Sequence, residues 1–169
     1  MQQHFEHNFI RCAILVSVGI ILGYVEGLVF PQGLVYGIRI GISNIVVLFS
    51  LIYSSWKEAA LIGILKSVLT GLLFSSVTAI LYSLAGIVLS VMIMTVLKWK
   101  LYDKYISVSG ISIAGSAVFN VGQVLTAWAL TKSYYCIFLL SYMLPLSIVT
   151  GLITGIVVQL LFNKTKRGI

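Results

Sequence analysis

The sequence predicts an all-α integral membrane protein in which six transmembrane helices form one bundle. Of its 169 residues, 60% are hydrophobic and 9% are charged, whereas a soluble domain carries about 25% charged residues. Six apolar segments, most of them near the roughly 20 residues that a helix needs to cross a bilayer, fill the chain with short connections between them. We therefore expect a single membrane domain over residues 1–169 and no separate soluble domain.

The six predicted spans follow one another with little between them. The first covers residues 9–30 and ends at Pro31, because proline cannot continue a helix. The others cover residues 40–55, 58–74, 78–97, 107–131 and 137–162. The second and third are short, so we expect segment 31–40, with its Pro31, Gly33 and Gly37, to fold back into the bundle. The polar start runs into the first span without a cleavage site of small residues, so we expect no cleaved signal peptide.

The basic residues lie mainly at one end of the predicted spans. The end that carries the N-terminus has eight: Arg11, Lys57, Lys98, Lys100, Lys104, Lys164, Lys166 and Arg167. The other end has Arg39 and Lys132. The positive-inside rule predicts a multi-pass protein of the cell membrane with both termini in the cytoplasm. It also accounts for the net charge of +7, so we expect the lipid bilayer, and no nucleic acid, as the surrounding partner.

Several kinds of chemistry are not supported by the sequence. Its one aspartate, Asp103, cannot form the aspartate cluster with which a prenyl diphosphate synthase holds Mg²⁺ and diphosphate. The chain has neither a nucleotide-binding P-loop nor a zinc-protease motif. His4 and His7 are best explained by a polar tail. We expect no catalytic residue, cofactor, metal site or disulfide, since Cys12 and Cys136 fall at opposite ends of the spans.

Polar residues inside the spans are the candidates for function. Lys66 is roughly 12 Å from either end of its span, and a buried charge in a membrane is expensive. It is either half of a structural ion pair or a ligand contact. Polar residues of the fifth span fall within roughly 80° of one another and predict a face towards the interior or a pocket: Ser109, Ser112, Ser116, Asn120 and Gln123. The fourth span adds Tyr82, Gly86 and Ser90 at four-residue spacing.

Glu26 lies near the end of the first span. It is separated from Arg11 by 14 uncharged residues, or roughly 21 Å of helix, less than the roughly 30 Å of the hydrocarbon core. We therefore expect Glu26 below the outer surface, in the wall of an outward-facing cavity, with Arg39 or Lys66 as its partner. The same span carries two sets of small residues suited to close helix packing: Ala13 and Ser17 in one half, and Gly19, Gly23 and Gly27 in the other.

Four stretches of the chain resemble a known family: GIRIGISNIVVLFSLIYSSWKEAALIGILKSVLTGLLF, LYSLAG, AVFNVGQVLTAWAL and LPLSIVTGLITG. The chain is similar over about residues 9–162 to the Gx transporter family, often labelled heptaprenyl diphosphate synthase component I. That family is similar to the substrate-binding S components of energy-coupling factor (ECF) transporters. The resemblance implies six helices, cytoplasmic termini and a vitamin-sized pocket near the outer face.

The resemblance also implies roles for individual residues. Ala13 and Ser17 correspond to the small residues that dock the first helix on the transmembrane subunit of the energising module. Phe119 stands where relatives have a histidine, which implies a different ligand. Arg39 is added as a cation at the outer end, and Tyr82 as a polar residue of the fourth span. The candidate substrate-binding residues are therefore Glu26, Arg39, Asn44, Lys66, Tyr82, Asn120 and Gln123.

Two functions follow as expectations. The first is uptake of a small organic molecule, by an S component that works with a separate transmembrane subunit and ATPases. The alternative is a non-catalytic accessory subunit of a heptaprenyl or polyprenyl diphosphate synthase in quinone biosynthesis. Co-purification with a membrane scaffold and two ATPases would favour the first, and co-purification with a soluble synthase the second.

Overall fold

A computed structural model describes residues 2–29, 39, 41–102 and 105–167, with the side chains of 2–8 and 165–167 left out. The described chain is helical and has no strand. Its helices are α1 (Gln2–Val29), α2 (Ile45–Tyr53), α3 (Trp56–Phe74), α4 (Val77–Leu101), α5 (Val108–Thr131) and α6 (Tyr135–Arg167), with a 3-10 turn at Ile42–Asn44 before α2. The predicted all-α class is confirmed. Most of segment 31–40, including Pro31, Gly33 and Gly37, lies outside the described residues.

Three of the helices begin at a serine that caps the helix. The hydroxyls of Ser55, Ser76 and Ser107 each accept a hydrogen bond from a backbone N–H three residues later, at the starts of α3, α4 and α5. Such a cap satisfies one of the free amides of the first turn. The caps allow short connections, so successive helices run in opposite directions through the bundle.

Four of the described helices are long and apolar enough to cross a membrane. They lie at Phe9–Leu28, Val77–Leu101, Val108–Thr131 and Tyr135–Lys164. The expectation of six spanning helices is therefore met only in part. Helix α3 contains Lys57, Glu58 and Lys66, and the apolar helix before it covers only Ile42–Tyr53.

The outer surface of the bundle is apolar. Large side chains are exposed along every long helix, for example Ile21, Leu72, Met92, Leu125 and Ile153. A water-soluble monomer rarely exposes such continuous apolar area. Together with the four long apolar helices, this surface identifies a membrane protein.

Helix α2 lies inside the bundle. Val46, Val47, Leu48 and Leu51 are almost completely buried, and α2 contacts α1, α3, α4 and α6. A helix that is apolar on all sides is typical of a buried position. The short length of α2 is compatible with this, because a helix surrounded by others need not match the thickness of the bilayer itself.

Glycines let α5 approach both of its neighbours closely. A Cβ atom added at Gly122 would lie 2.9 Å from the Cα atom of Gly86 in α4. One added at Gly151 of α6 would lie 2.7 Å from the Cα atom of Ile113 in α5. Small residues allow such contacts between membrane helices. The result is a tight α4–α5–α6 unit on which the other helices are arranged.

The two ends of the bundle are named here by their acidic or basic residues. The Arg11 end holds Arg11, the end of α2 and the start of α3. The Glu26 end holds the last turns of α1, α3 and α5. Cys12 lies near the first and Cys136 near the second, and both are free, as the sequence predicts.

Candidate functional site

A cluster of buried polar groups joins three helices at the Glu26 end. It is called the polar cluster and consists of Glu26, Arg39, Gly41, Ser43, Asn44, Lys66, Asn120 and Gln123. Helices α1, α3 and α5 supply Glu26, Lys66, Asn120 and Gln123, and residues 39 and 41–44 supply the remaining members. Six of the seven predicted substrate-binding residues belong to this cluster.

Glu26 binds backbone amides. Its side chain is buried, its Oε1 accepts a hydrogen bond from the Gly41 amide at 2.6 Å, and its Oε2 accepts one from the Ser43 amide at 3.3 Å. The prediction that Glu26 pairs with Arg39 or Lys66 is wrong as a direct contact, because the ion pair found within the described residues is Arg11–Glu58. Two backbone N–H groups already satisfy the carboxylate.

Lys66 is buried in α3 and points to the same segment. Its Nζ donates to Ser43 Oγ at 2.9 Å and to Asn44 Oδ1 at 2.8 Å. Ser43 therefore links the two charged groups, since its amide binds Glu26 and its hydroxyl binds Lys66. A buried ammonium bound to neutral oxygens is costly to desolvate. This arrangement is not the structural ion pair that was one alternative for Lys66.

The amides of α5 complete the cluster. Gln123 is fully buried; its Oε1 accepts from the Arg39 amide at 2.9 Å and its Nε2 donates to the Arg39 carbonyl at 2.8 Å. The same Nε2 also donates to Asn120 Oδ1 at 3.3 Å, and Asn120 Nδ2 donates to the Met143 carbonyl of α6 at 3.2 Å. The predicted inward-facing polar stripe of α5 is confirmed.

The side chain of Arg39 extends to the end of α3. Its Nη2 donates to Ser75 Oγ at 2.8 Å, and the residue is half-buried. Burial lowers the pKa of the Arg39 guanidinium from its ordinary value, and the negative charge of Glu26 acts in the opposite direction. The guanidinium remains charged, so the Glu26 end contains a partly accessible cation next to the buried groups.

Ser43 was not among the predicted site residues, and Gly41 was expected only to make the segment around residues 31–40 deformable. Gly41 has φ +96°, which glycine adopts readily and other residues rarely do. A Cβ atom there would also lie 3.0 Å from Asn44 Nδ2 and 3.3 Å from the Phe119 ring. The signal in the sequence was the glycine directly before the turn Ile42–Asn44 that leads into α2.

Tyr82 lies apart from the polar cluster. It is buried in an apolar group with Val124, Ala127 and Cys136, between α4, α5 and α6. In the described residues no hydrogen bond joins Tyr82 to the cluster. Its four-residue spacing with Gly86 therefore reflects helix packing, because Gly86 contacts Phe119 of α5.

A small cavity lies beside Asn44, deeper in the bundle. Its volume is about 10 Å³, and its polar lining comprises Asn44, Ser90, Ser112, Ser116 and Thr154. That is about the space that one water molecule needs. Within the described residues, hydrogen bonds from the protein itself satisfy the buried groups of the polar cluster.

The small residues of α1 form two different surfaces. Gly19 and Gly23 face inward. Gly19 packs against Val46 and Lys66, and Gly23 packs against Thr70. Ala13 and Ser17 are exposed, and Ser17 Oγ donates to the Ala13 carbonyl at 2.9 Å. The outward surface is not covered by the described part of the chain.

The fold and the site together define a helical membrane protein with charged and amide groups buried at one end of its bundle. Residues 15–161 match the family described as heptaprenyl diphosphate synthase component I. The chain belongs to this family, as its resemblance predicted. No curated protein and no solved structure matches the chain.

Proposed function

We propose that the chain is a membrane-embedded substrate-binding component for uptake of a small organic molecule. The observation that carries this proposal is the convergence of Glu26, Lys66 and Gln123, from three helices, on four residues between α1 and α2: Arg39, Gly41, Ser43 and Asn44. Buried charges are expensive in a membrane and commonly mark a ligand or ion pathway. A purely structural role would be met more cheaply by apolar packing.

A ligand would use the cluster by replacing the contacts of segment 39–44. Lys66 and Arg39 would hold an anionic group, and the amides of Asn120 and Gln123 would donate and accept hydrogen bonds. Glu26 would then be left to hold the segment or to bind a donor on the ligand. We place the Glu26 end on the outside of the membrane, with both termini in the cytoplasm, because most basic residues lie at the Arg11 end.

Uptake against a gradient would need an energy source outside this chain. Its sequence has no motif for nucleotide hydrolysis, so the proposal includes an ECF transmembrane subunit and ATPases as partners. Ala13 and Ser17 are exposed on α1 and small enough for a partner helix to approach closely. They are the proposed docking site.

The second candidate function is that of a non-catalytic membrane subunit of a prenyl diphosphate synthase. It is considered because the family is described as heptaprenyl diphosphate synthase component I. In that role the chain would hold a soluble synthase at the membrane. The buried polar cluster would then have only a structural function.

Affinity purification from native membranes in a mild detergent tests these proposals against each other. Uptake predicts a membrane scaffold and two ATPases in the eluate, and Ser17→Leu should remove them without unfolding the chain. The accessory role predicts a soluble synthase instead. A synthase in the eluate, with no ATPase and no bound small molecule, would overturn the uptake proposal.

A further inference from the structure

A lateral groove lies between α3 and α4, away from the polar cluster. Its volume is about 330 Å³, and almost all of its lining is apolar. The residues that line its length include Ala60, Ile64, Val88, Met92 and Val96, and Trp56 and Trp99 stand at its Arg11 end. In a membrane protein such a groove faces hydrocarbon, and paired tryptophans are typical of the boundary between hydrocarbon and headgroups.

Positive charge adjoins the end of the groove that the tryptophans mark. Lys57 is exposed, with its Nζ 5.8 Å from the centre of the Trp56 ring. Lys100 is exposed and follows Trp99. Lys98 is not available in the same way, because its Nζ donates to the Leu51 and Ile52 carbonyls at the end of α2.

Within the part of the chain that the structure describes, the acid near these two lysines is Glu58, which is paired with Arg11. Glu58 Oε2 lies 2.6 Å from Arg11 Nη2 and forms the ion pair of this end. The groove thus combines an apolar channel with two exposed lysines at its headgroup end. This combination is complementary to a molecule with a hydrocarbon chain and an anionic head.

We propose that the α3–α4 groove binds one acyl chain of an anionic phospholipid of the surrounding bilayer, with the lipid phosphate held by Lys57 and Lys100. The bound lipid would fix the spacing of α3 and α4 at this end. The site is independent of the polar cluster and of the transport proposal.

Native mass spectrometry of retained lipids tests the site. The protein is equilibrated in nanodiscs of equal phosphatidylglycerol and phosphatidylcholine and released into a mild detergent. We expect phosphatidylglycerol to be retained preferentially, and Lys57→Gln with Lys100→Gln to reduce the preference by roughly thirtyfold, since each of the two basic residues near an anionic lipid contributes about 1 kcal/mol. Lys132→Gln, at the opposite end, is the matched control and should leave the preference unchanged.

A second variant tests the groove itself. Ile64→Trp should fill the groove and lower the number of retained lipids by about one, whereas Ile153→Trp on the exposed face of α6 should not. Sodium chloride should reduce the wild-type preference, which checks the charge contribution even if the double variant folds poorly. Equal retention of the two lipids by the wild type would overturn the proposal. So would an Ile64→Trp variant that changes only the oligomeric mass, because the groove would then hold a helix of a second copy.

Discussion

The two ends of the bundle use acids and bases in opposite ways. At the Arg11 end, Arg11 and Glu58 meet directly at 2.6 Å, with side chains 30% and 22% exposed. At the Glu26 end, Glu26 and Lys66 are buried and do not meet, because Ser43 stands between them. The first arrangement is an ordinary interfacial ion pair. The second keeps two buried charges on a short backbone segment, which a structural ion pair does not require.

This difference indicates where function should be sought. Exposed ion pairs contribute little to stability, whereas buried charges without a direct partner carry a large desolvation cost. At the Glu26 end, Glu26 holds two backbone amides, whereas Lys66 donates to neutral oxygens, and its retention needs an explanation beyond folding. Substitutions at the Glu26 end should therefore lower the stability of the protein more than substitutions at the Arg11 end.

Glu26→Ala should have the largest effect on stability. It removes the acceptor for the buried amides of Gly41 and Ser43, and each unsatisfied group costs about 1–3 kcal/mol. Unfolding in mixed micelles should show a loss of several kcal/mol. Glu26→Gln keeps one acceptor oxygen and should lose less. Equal stability of Glu26→Ala and the wild type would show that the carboxylate does not hold the segment.

Gln123→Leu should rank second. The change keeps a similar volume but removes both hydrogen bonds to the Arg39 backbone. We expect a loss of about 1–3 kcal/mol, together with faster amide exchange around residue 39. Gln159→Leu is the matched control because Gln159 is exposed. A loss that is the same in both variants would contradict a specific role for Gln123.

Gly41→Ala tests the backbone of the same segment. The residue has φ +96° and little space for a Cβ atom, so we expect a loss of roughly 1–2 kcal/mol. Gly27→Ala is the control, since nothing lies within 4 Å of its added Cβ atom. That change should be neutral or slightly stabilising through helix propensity. A larger loss of stability in Gly27→Ala than in Gly41→Ala would mean that the backbone at Gly41 has another conformation.

Arg11→Gln should have the smallest effect. The Arg11–Glu58 pair is partly exposed, and such pairs contribute about 0–1 kcal/mol. A double-mutant cycle with Glu58→Gln measures the pair directly. A coupling energy for this pair larger than the stability loss in Gln123→Leu would reverse the ranking of the two ends.

The helices and the inward face of α5 could be predicted from the sequence. Apolar segments of bilayer length predict membrane helices, and residues such as Asn120 and Gln123 share one face at helical spacing. The number of spanning helices was predicted less well. Helix α2 is too short to cross a membrane, and a helix buried among others need not match the thickness of the bilayer. Six of the seven predicted binding residues meet in one cluster, and helical spacing explains this only for Asn120 and Gln123, which share one face of α5.

The partners within the cluster could not be predicted. A charge pattern suggests pairs of side chains, whereas Glu26 binds the amides of Gly41 and Ser43. The direction of those N–H groups depends on the positive φ of Gly41, a local backbone feature that spacing does not reveal. Tyr82 shows the reverse case, since a spacing that suggested a site belongs to the packing of α4 on α5.

The central claim is that the polar cluster, and not the Arg11 end, binds a small organic molecule. Native mass spectrometry of the gently purified protein tests it most directly, with Lys66→Ala, Asn120→Ala and Arg11→Gln compared at matched folding. The proposal predicts a bound mass in the wild type and in Arg11→Gln that falls at least tenfold in the two cluster variants. The proposal would be contradicted by an equal bound mass in all four proteins. It would also be contradicted if the wild type neither bound nor transported a small molecule.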